Sequence, residues 1–181
     1  MVRRPVGDDR RKGIYSPKYG AAMIGRIEER VACTAVGITA TVPSSFAPDA
    51  ANAAPVIAAL WEMVTSVLGT QGVSAEREYV GITGPADDLV PPHRITYSAT
   101  VTEHSAGPLP TTFDAFIIDG GRYAVFSFLG TVGEVDDFYR STYDEGLRDL
   151  GCTTRDGQHL ERMLPSEHPA LLNLEAWIPI H

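Results

Sequence analysis

Cysteine is nearly absent from this chain of 181 residues: only Cys33 and Cys152 occur, far apart and in no C-x-x-C arrangement. A disulfide-stapled scaffold is therefore not indicated, and both are read as reduced structural thiols. No apolar run reaches the 18 residues a membrane-spanning helix needs, and the N-terminus lacks the apolar segment of a secretory signal. The expected location is cytoplasmic, with no membrane partner. Basic residues are scarce beyond the start of the chain. Six of the fifteen Lys and Arg fall in the first eighteen positions beside two of the twenty-three acids, leaving nine bases against twenty-one acids, a formal net of −12. A body this acidic repels phosphate backbones, which argues against nucleic acid as a partner of the folded part and favours a cationic one. His93, His104, His159, His168 and His181 show no metal-ligand spacing, so neither a metal nor another cofactor is expected. There is no G-x-S-x-G elbow and no phosphate loop. Asp87-Asp88 and Asp136-Asp137 read as a loop pair and a helix-start pair.

What is present describes one globular domain. The chain is 44% apolar and 21% charged, and its length suits a single core. Residues 1–25 read as a basic, flexible leader, and 26–181 as the domain. Residues 27–39 are rich in β-branched residues and predict a strand, followed by a Pro/Ser/Ala loop over 43–55. Pro55 suits a first helical turn, and Ile57, Leu60, Trp61, Val64, Val67 and Leu68 recur at helical steps until Gly69 and Gly72. Strands are expected over 78–83 and 95–102.

The pattern then begins again. Runs 113–119 and 122–129 flank Gly120-Gly121, read as a hairpin turn, and Thr131-Val-Gly-Glu134 is a capping-box sequence opening a second helix. Its stripe is Val135, Phe138, Tyr139, Thr142, Tyr143, Leu147 and Leu150, and Gly151 ends it. Strands over 159–164 and 172–180 close the chain. Strand, helix, strand, strand occurs twice, about 80 residues apart. The expected fold is α+β: duplicated units forming one antiparallel sheet, both helices on one face, and a ligand pocket on the opposite, concave face. Strand alternation puts Leu174, Ala176, Ile178 and Ile180 against the helices and turns Glu175 and Trp177 the other way. The same reasoning assigns Glu161, Met163, Tyr79 and Gly81 to the pocket side, with Val80 and Ile82 toward the helices.

The run Gly-Gly-Arg-Tyr-Ala-Val-Phe-Ser-Phe-Leu-Gly (120–130), a helix with Phe-Tyr-Arg-Ser-Thr-Tyr, then Leu-Glu-Arg-Met (160–163) and Leu-Glu-Ala-Trp-Ile-Pro-Ile (174–180), resembles the GyrI-like small-molecule-binding family. That family includes effector-binding domains of drug-responsive transcription regulators. The resemblance covers 26–181 and implies that Glu161 lies at a pocket floor and attracts cationic aromatic ligands. Leu160 and Met163 stand where the family has phenylalanine and tyrosine. Glu175 and Trp177 match its terminal glutamate-x-aromatic pair. Some members resemble hydrolases that open the strained cyclopropane of DNA-alkylating natural products with a pocket glutamate and an aromatic residue. The 25 residues before the first strand are too few and too polar for a helix-turn-helix, so a stand-alone protein is expected.

Two functions share one set of residues. A carboxylate in an aromatic cavity attracts a cation, and an aromatic face adds about 0.5–2 kcal/mol of cation–π attraction. A pocket carboxyl can equally act as a general acid or position water. The candidate ligand-binding residues are Glu161, Met163, Glu175, Trp177, Tyr79, Tyr97, Phe126, Phe128, Tyr139 and Tyr143; Glu161, Glu175 and Trp177 are the catalytic candidates if the protein is a hydrolase. The leading partner is an apolar, aromatic or cationic small molecule held by sequestration. A third reading makes the acidic surface a protein-interaction face that shields a topoisomerase.

Overall fold

Local sequence chemistry sets where each element begins and ends. The computed structural model describes residues 25–44, 53–69, 77–84, 93–102 and 111–181. The leader expected over 1–25 lies outside them except for Gly25, as do Gly72, His104 and Asp87-Asp88. Helix α1 (Ala54–Val67) carries Pro55 in its first turn, where no N–H partner is required, and gives way at Gly69, whose φ is +67°. Its stripe of Ile57, Leu60, Trp61, Val64 and Leu68 packs on the sheet around Val42, Tyr97 and Ala99.

The second helical segment is less regular than its sequence suggests. Glu134 accepts the backbone N–H of Thr131 at 2.7 Å in a capping box. A 3-10 turn (Val132–Glu134) leads into α2 (Val135–Ser141), a π-helical turn (Thr142–Gly146) and a last α turn, α3 (Leu147–Asp149). The cause is legible in the spacing: Phe138, Thr142 and Leu147 are all buried, at steps of four and then five. Only a widened turn keeps a five-residue step on one face. Gly151, at φ +64°, ends the segment.

The strands are β1 (Gly25–Arg30), β2 (Cys33–Pro43), β3 (Tyr79–Thr83), β4 (Arg94–Thr102), β5 (Asp114–Ile118), β6 (Gly121–Gly130), β7 (His159–Met163) and β8 (Leu172–Pro179). They form one antiparallel sheet in the order β1-β6-β8-β7-β3-β4-β2-β5. Reversing that order while exchanging β1 with β5, β2 with β6, β3 with β7 and β4 with β8 reproduces it. The duplication is thus a two-fold relation about an axis between β3 and β7, and the expected α+β class with two helical segments on one antiparallel sheet is the observed one.

Two local expectations are corrected. The single strand over 27–39 is two strands, because the chain turns a corner at Val31-Ala32, both exposed. Gly120-Gly121 is not a hairpin turn: β5 pairs with β2, whereas β6 pairs with β1 and β8. Gly121 does have a positive φ, +127°. Gly120 serves a close approach, since a Cβ there would lie 2.8 Å from the backbone N of Ala32. The β5–β6 link crosses the β1–β2 corner at this point, and each unit lends its first strand to the other.

Both faces of the sheet are apolar. Ala124, Phe126, Phe128, Leu174, Ala176 and Ile178 lie under the second helical segment. On the opposite face, Val80, Ile82, Val125, Leu160 and Trp177 form another layer with Ala35, Ile118 and Tyr123. An ionic chain extends beside it. Glu175 pairs with Arg26 at 2.8 Å and Arg162 at 3.3 Å; Glu78 pairs with Arg162 at 3.4 Å and Arg30 at 2.8 Å. Among the described residues, the face opposite the helices, where the pocket is expected, carries this packed layer. Among the described residues no helix is long and apolar enough to cross a membrane.

Candidate functional site

A cavity of about 440 Å³ lies on the helix-bearing face, between α1 and the second helical segment. This is within the ~300–1,000 Å³ usual for small-molecule sites. The central strands supply its floor through Thr83, Tyr97, His159 and Glu161. Ile57 at the start of α1 forms one wall, Tyr139 and Tyr143 the other, and the link 154–157 closes an end. Val42, Ile95 and Ile178 add apolar surface.

Strand parity positions the carboxylate. Leu160 turns into the opposite layer, so Glu161 faces the helices, directly across from Gly81 on β3. Tyr139 donates its hydroxyl to Glu161 Oε1 at 2.6 Å, and Tyr97 donates to Oε2 at 2.8 Å. Trp61 Nε1 donates in turn to the Tyr97 oxygen at 3.1 Å. Each carboxylate oxygen thus holds one phenol, which fixes the group while leaving acceptor capacity toward the cavity. The missing side chain at position 81 makes this possible: a Cβ there would meet the Tyr97 hydroxyl at 2.3 Å. Burial, reinforced by the charge of Glu161, pushes the Tyr97 and Tyr139 phenols well above their ordinary value, so both remain hydrogen-bond donors.

A second polar pair lines the wall. The Tyr143 hydroxyl lies 2.5 Å from His159 Nδ1, and the two rings stack with centroids 6.0 Å apart. Burial holds His159 below its usual value and raises Tyr143, with Glu161 adding to the latter shift. Burial thus favours the neutral form of each group.

Of the candidate residues, Glu161, Tyr97, Tyr139 and Tyr143 meet at this cavity. Tyr79 is buried instead beside Trp61, Val36 and Val101. Phe126 and Phe128 are core beneath the second helical segment, Phe128 against Phe138 at 4.9 Å, and Met163 packs at the edge of the same core. Glu175 and Trp177 lie apart from this cavity: they share a face with each other but not with Glu161. Glu175 is 3% exposed and ion-paired, while Trp177 packs edge-on to Tyr123 with Arg30 over its ring at 5.5 Å. The parity of β3 is reversed for the same reason, since Val80 and Ile82 belong to the opposite layer and Tyr79 and Gly81 face the helices. Sequence reasoning passes over His159 and the tether from Trp61. For His159 a signal existed, because it stands two residues from Glu161 and so shares its face.

A family model described as a GyrI-like small molecule binding domain matches residues 25–181. The right origin-binding protein of Escherichia coli (strain K12) is 28% identical over 104 residues, 54% of this chain and 36% of that protein. The transcriptional regulator Rob of Salmonella typhimurium matches to the same extent. The match thus spans about a third of these relatives' length. Among solved structures, SAV2435 bound to tetraphenylphosphonium superposes with a TM-score of 0.61 at 16% identity, covering 88% of this chain and 94% of that one. An integron cassette protein from Vibrio cholerae gives 0.59 at 15% identity, covering 87% and 95%. At these identities the likeness shows the fold. Matched by the family model over every described residue, the chain belongs to the GyrI-like small-molecule-binding family.

Proposed function

We propose that this chain binds and sequesters a hydrophobic, aromatic cation in the cavity between its helical segments, with Glu161 supplying the opposite charge. The observation that carries this reading is a carboxylate at the floor of an aromatic cavity, with each of its oxygens held by a tyrosine hydroxyl. A cation entering the cavity finds an oriented carboxylate, and the rings of Tyr97, Tyr139 and Tyr143 offer cation–π attraction. The tetraphenylphosphonium held by the SAV2435 relative is a ligand of this chemistry.

Titration calorimetry with tetraphenylphosphonium and uncharged triphenylmethane tests the reading. Glu161→Gln is expected to weaken the cation by about 10- to 100-fold, the worth of a hydrogen-bonded or paired charge, and the neutral compound by far less. Equal losses for both would reduce Glu161 to a structural role. Cyclopropane hydrolysis, the rival activity, would have to rest on Glu161 and its two phenols, because Glu175 and Trp177 lie on the other face. Incubation with a large excess of a cyclopropane-bearing alkylator, followed by mass spectrometry, is expected to show stoichiometric protection; multiple turnovers would replace sequestration by catalysis.

A further inference from the structure

His159 lines the cavity beside Glu161 yet has no part in holding that carboxylate. Its Nδ1 is taken by the Tyr143 hydroxyl. No hydrogen bond among the described residues takes up Nε2, and the residue lines the cavity. The direction of the Tyr143 bond follows from the two groups. A phenol is a strong donor and a weak acceptor, whereas an unprotonated imidazole nitrogen is a strong acceptor. A hydroxyl that donates to Nδ1 leaves the ring proton on Nε2. Burial favours the neutral ring, which stacks on Tyr143.

We infer that His159 is a specificity-determining residue, whose Nε2–H selects, among hydrophobic cations, those that carry a neutral hydrogen-bond acceptor such as a carbonyl oxygen. The inference rests on the proposed function of the same cavity. Glu161 and His159 are two residues apart on β7 and face the same way, so their anchors are separated by roughly 7 Å along the strand. A ligand that satisfies both has its acceptor at about that distance from its charge. An acetyl group placed para on one ring of tetraphenylphosphonium meets this requirement, and the parent cation has no acceptor at all.

Titration calorimetry of these two phosphonium ions at neutral pH supplies the test. Wild-type protein is expected to bind the acetyl derivative about three- to tenfold more tightly, the worth of one neutral hydrogen bond. In His159→Phe, which keeps an aromatic ring at this position, the preference for the acetyl derivative over the parent cation disappears. A wild-type protein that binds both equally, or a preference that survives in His159→Phe, overturns the inference and leaves the proposed function standing. Failure of the wild type to bind either cation removes both. Independently of any variant, the long-range proton–nitrogen NMR spectrum of the His159 ring is expected to show the proton on Nε2; a proton on Nδ1 overturns the inference.

Discussion

Two glutamates on neighbouring strands have opposite fates, and the difference lies in what faces them. Glu161 meets phenols and a cavity; Glu175, its carboxylate almost fully buried, meets the guanidinium groups of Arg26 and Arg162. Burial alone would raise the Glu175 carboxyl, but the hydrogen bond from Arg26 and the charges of both arginines outweigh it and hold the group below its ordinary value of 4.5. Between that lowered value and 4.5 the unfolded chain binds more protons than the folded one. Its contribution to stability is therefore complete above 4.5 and is lost as the pH falls through the folded value. Glu175→Gln is expected to cost about 1–3 kcal/mol at neutral pH and to flatten this acid limb in thermal melts at a series of pH values. An unchanged melting temperature would contradict the structural role.

The elements join where glycine permits it. At the centre of the sheet β3 and β7 meet across the two-fold axis, and Gly81 opposite Glu161 leaves room for Tyr97 to reach the carboxylate. Adding a methyl group forces a buried tyrosine aside. Gly81→Ala is expected to destabilise the fold by about 1–3 kcal/mol, measured by denaturant unfolding, as an overpacked core does. Neutrality there would mean that Tyr97 is free to move. The widened turn of the second helical segment shows how far an element can be read in advance. Its start, its end and its apolar stripe are legible from Thr131, Glu134, Gly151 and the aromatic residues. The π-helical turn was concealed by the habit of reading any three- or four-residue recurrence as α-helix, although the five-residue step from Thr142 to Leu147 recorded it.

For the whole molecule, the duplication was visible because each unit repeats the same order of periodicities. The exchange of first strands was not. Local sequence shows that a chain turns at Gly120, but not which strand receives it, and here the partners are β2 and β1 rather than each other. The same limit applies to the cavity at Glu161, which lies on the helix-bearing face and not on the face expected. Alternation shows that Glu175 and Trp177 share a face, but when both faces of a sheet are apolar it cannot show which one the helices cover. Gly120→Ala probes the crossing directly, since its Cβ would meet backbone at Ala32 and Arg30 that cannot swing away. A loss of about 1–3 kcal/mol in unfolding free energy is expected, and no loss would contradict the close crossing of the two links.

The central claim is that the ligand site lies between the helices at Glu161 and not on the face of Glu175 and Trp177. The affinity of tetraphenylphosphonium for Glu161→Gln and Glu175→Gln, measured side by side on protein folded at the working temperature, tests it most directly. The account predicts a loss of about 10- to 100-fold for Glu161→Gln and a change within about twofold for Glu175→Gln. The reverse pattern would contradict it.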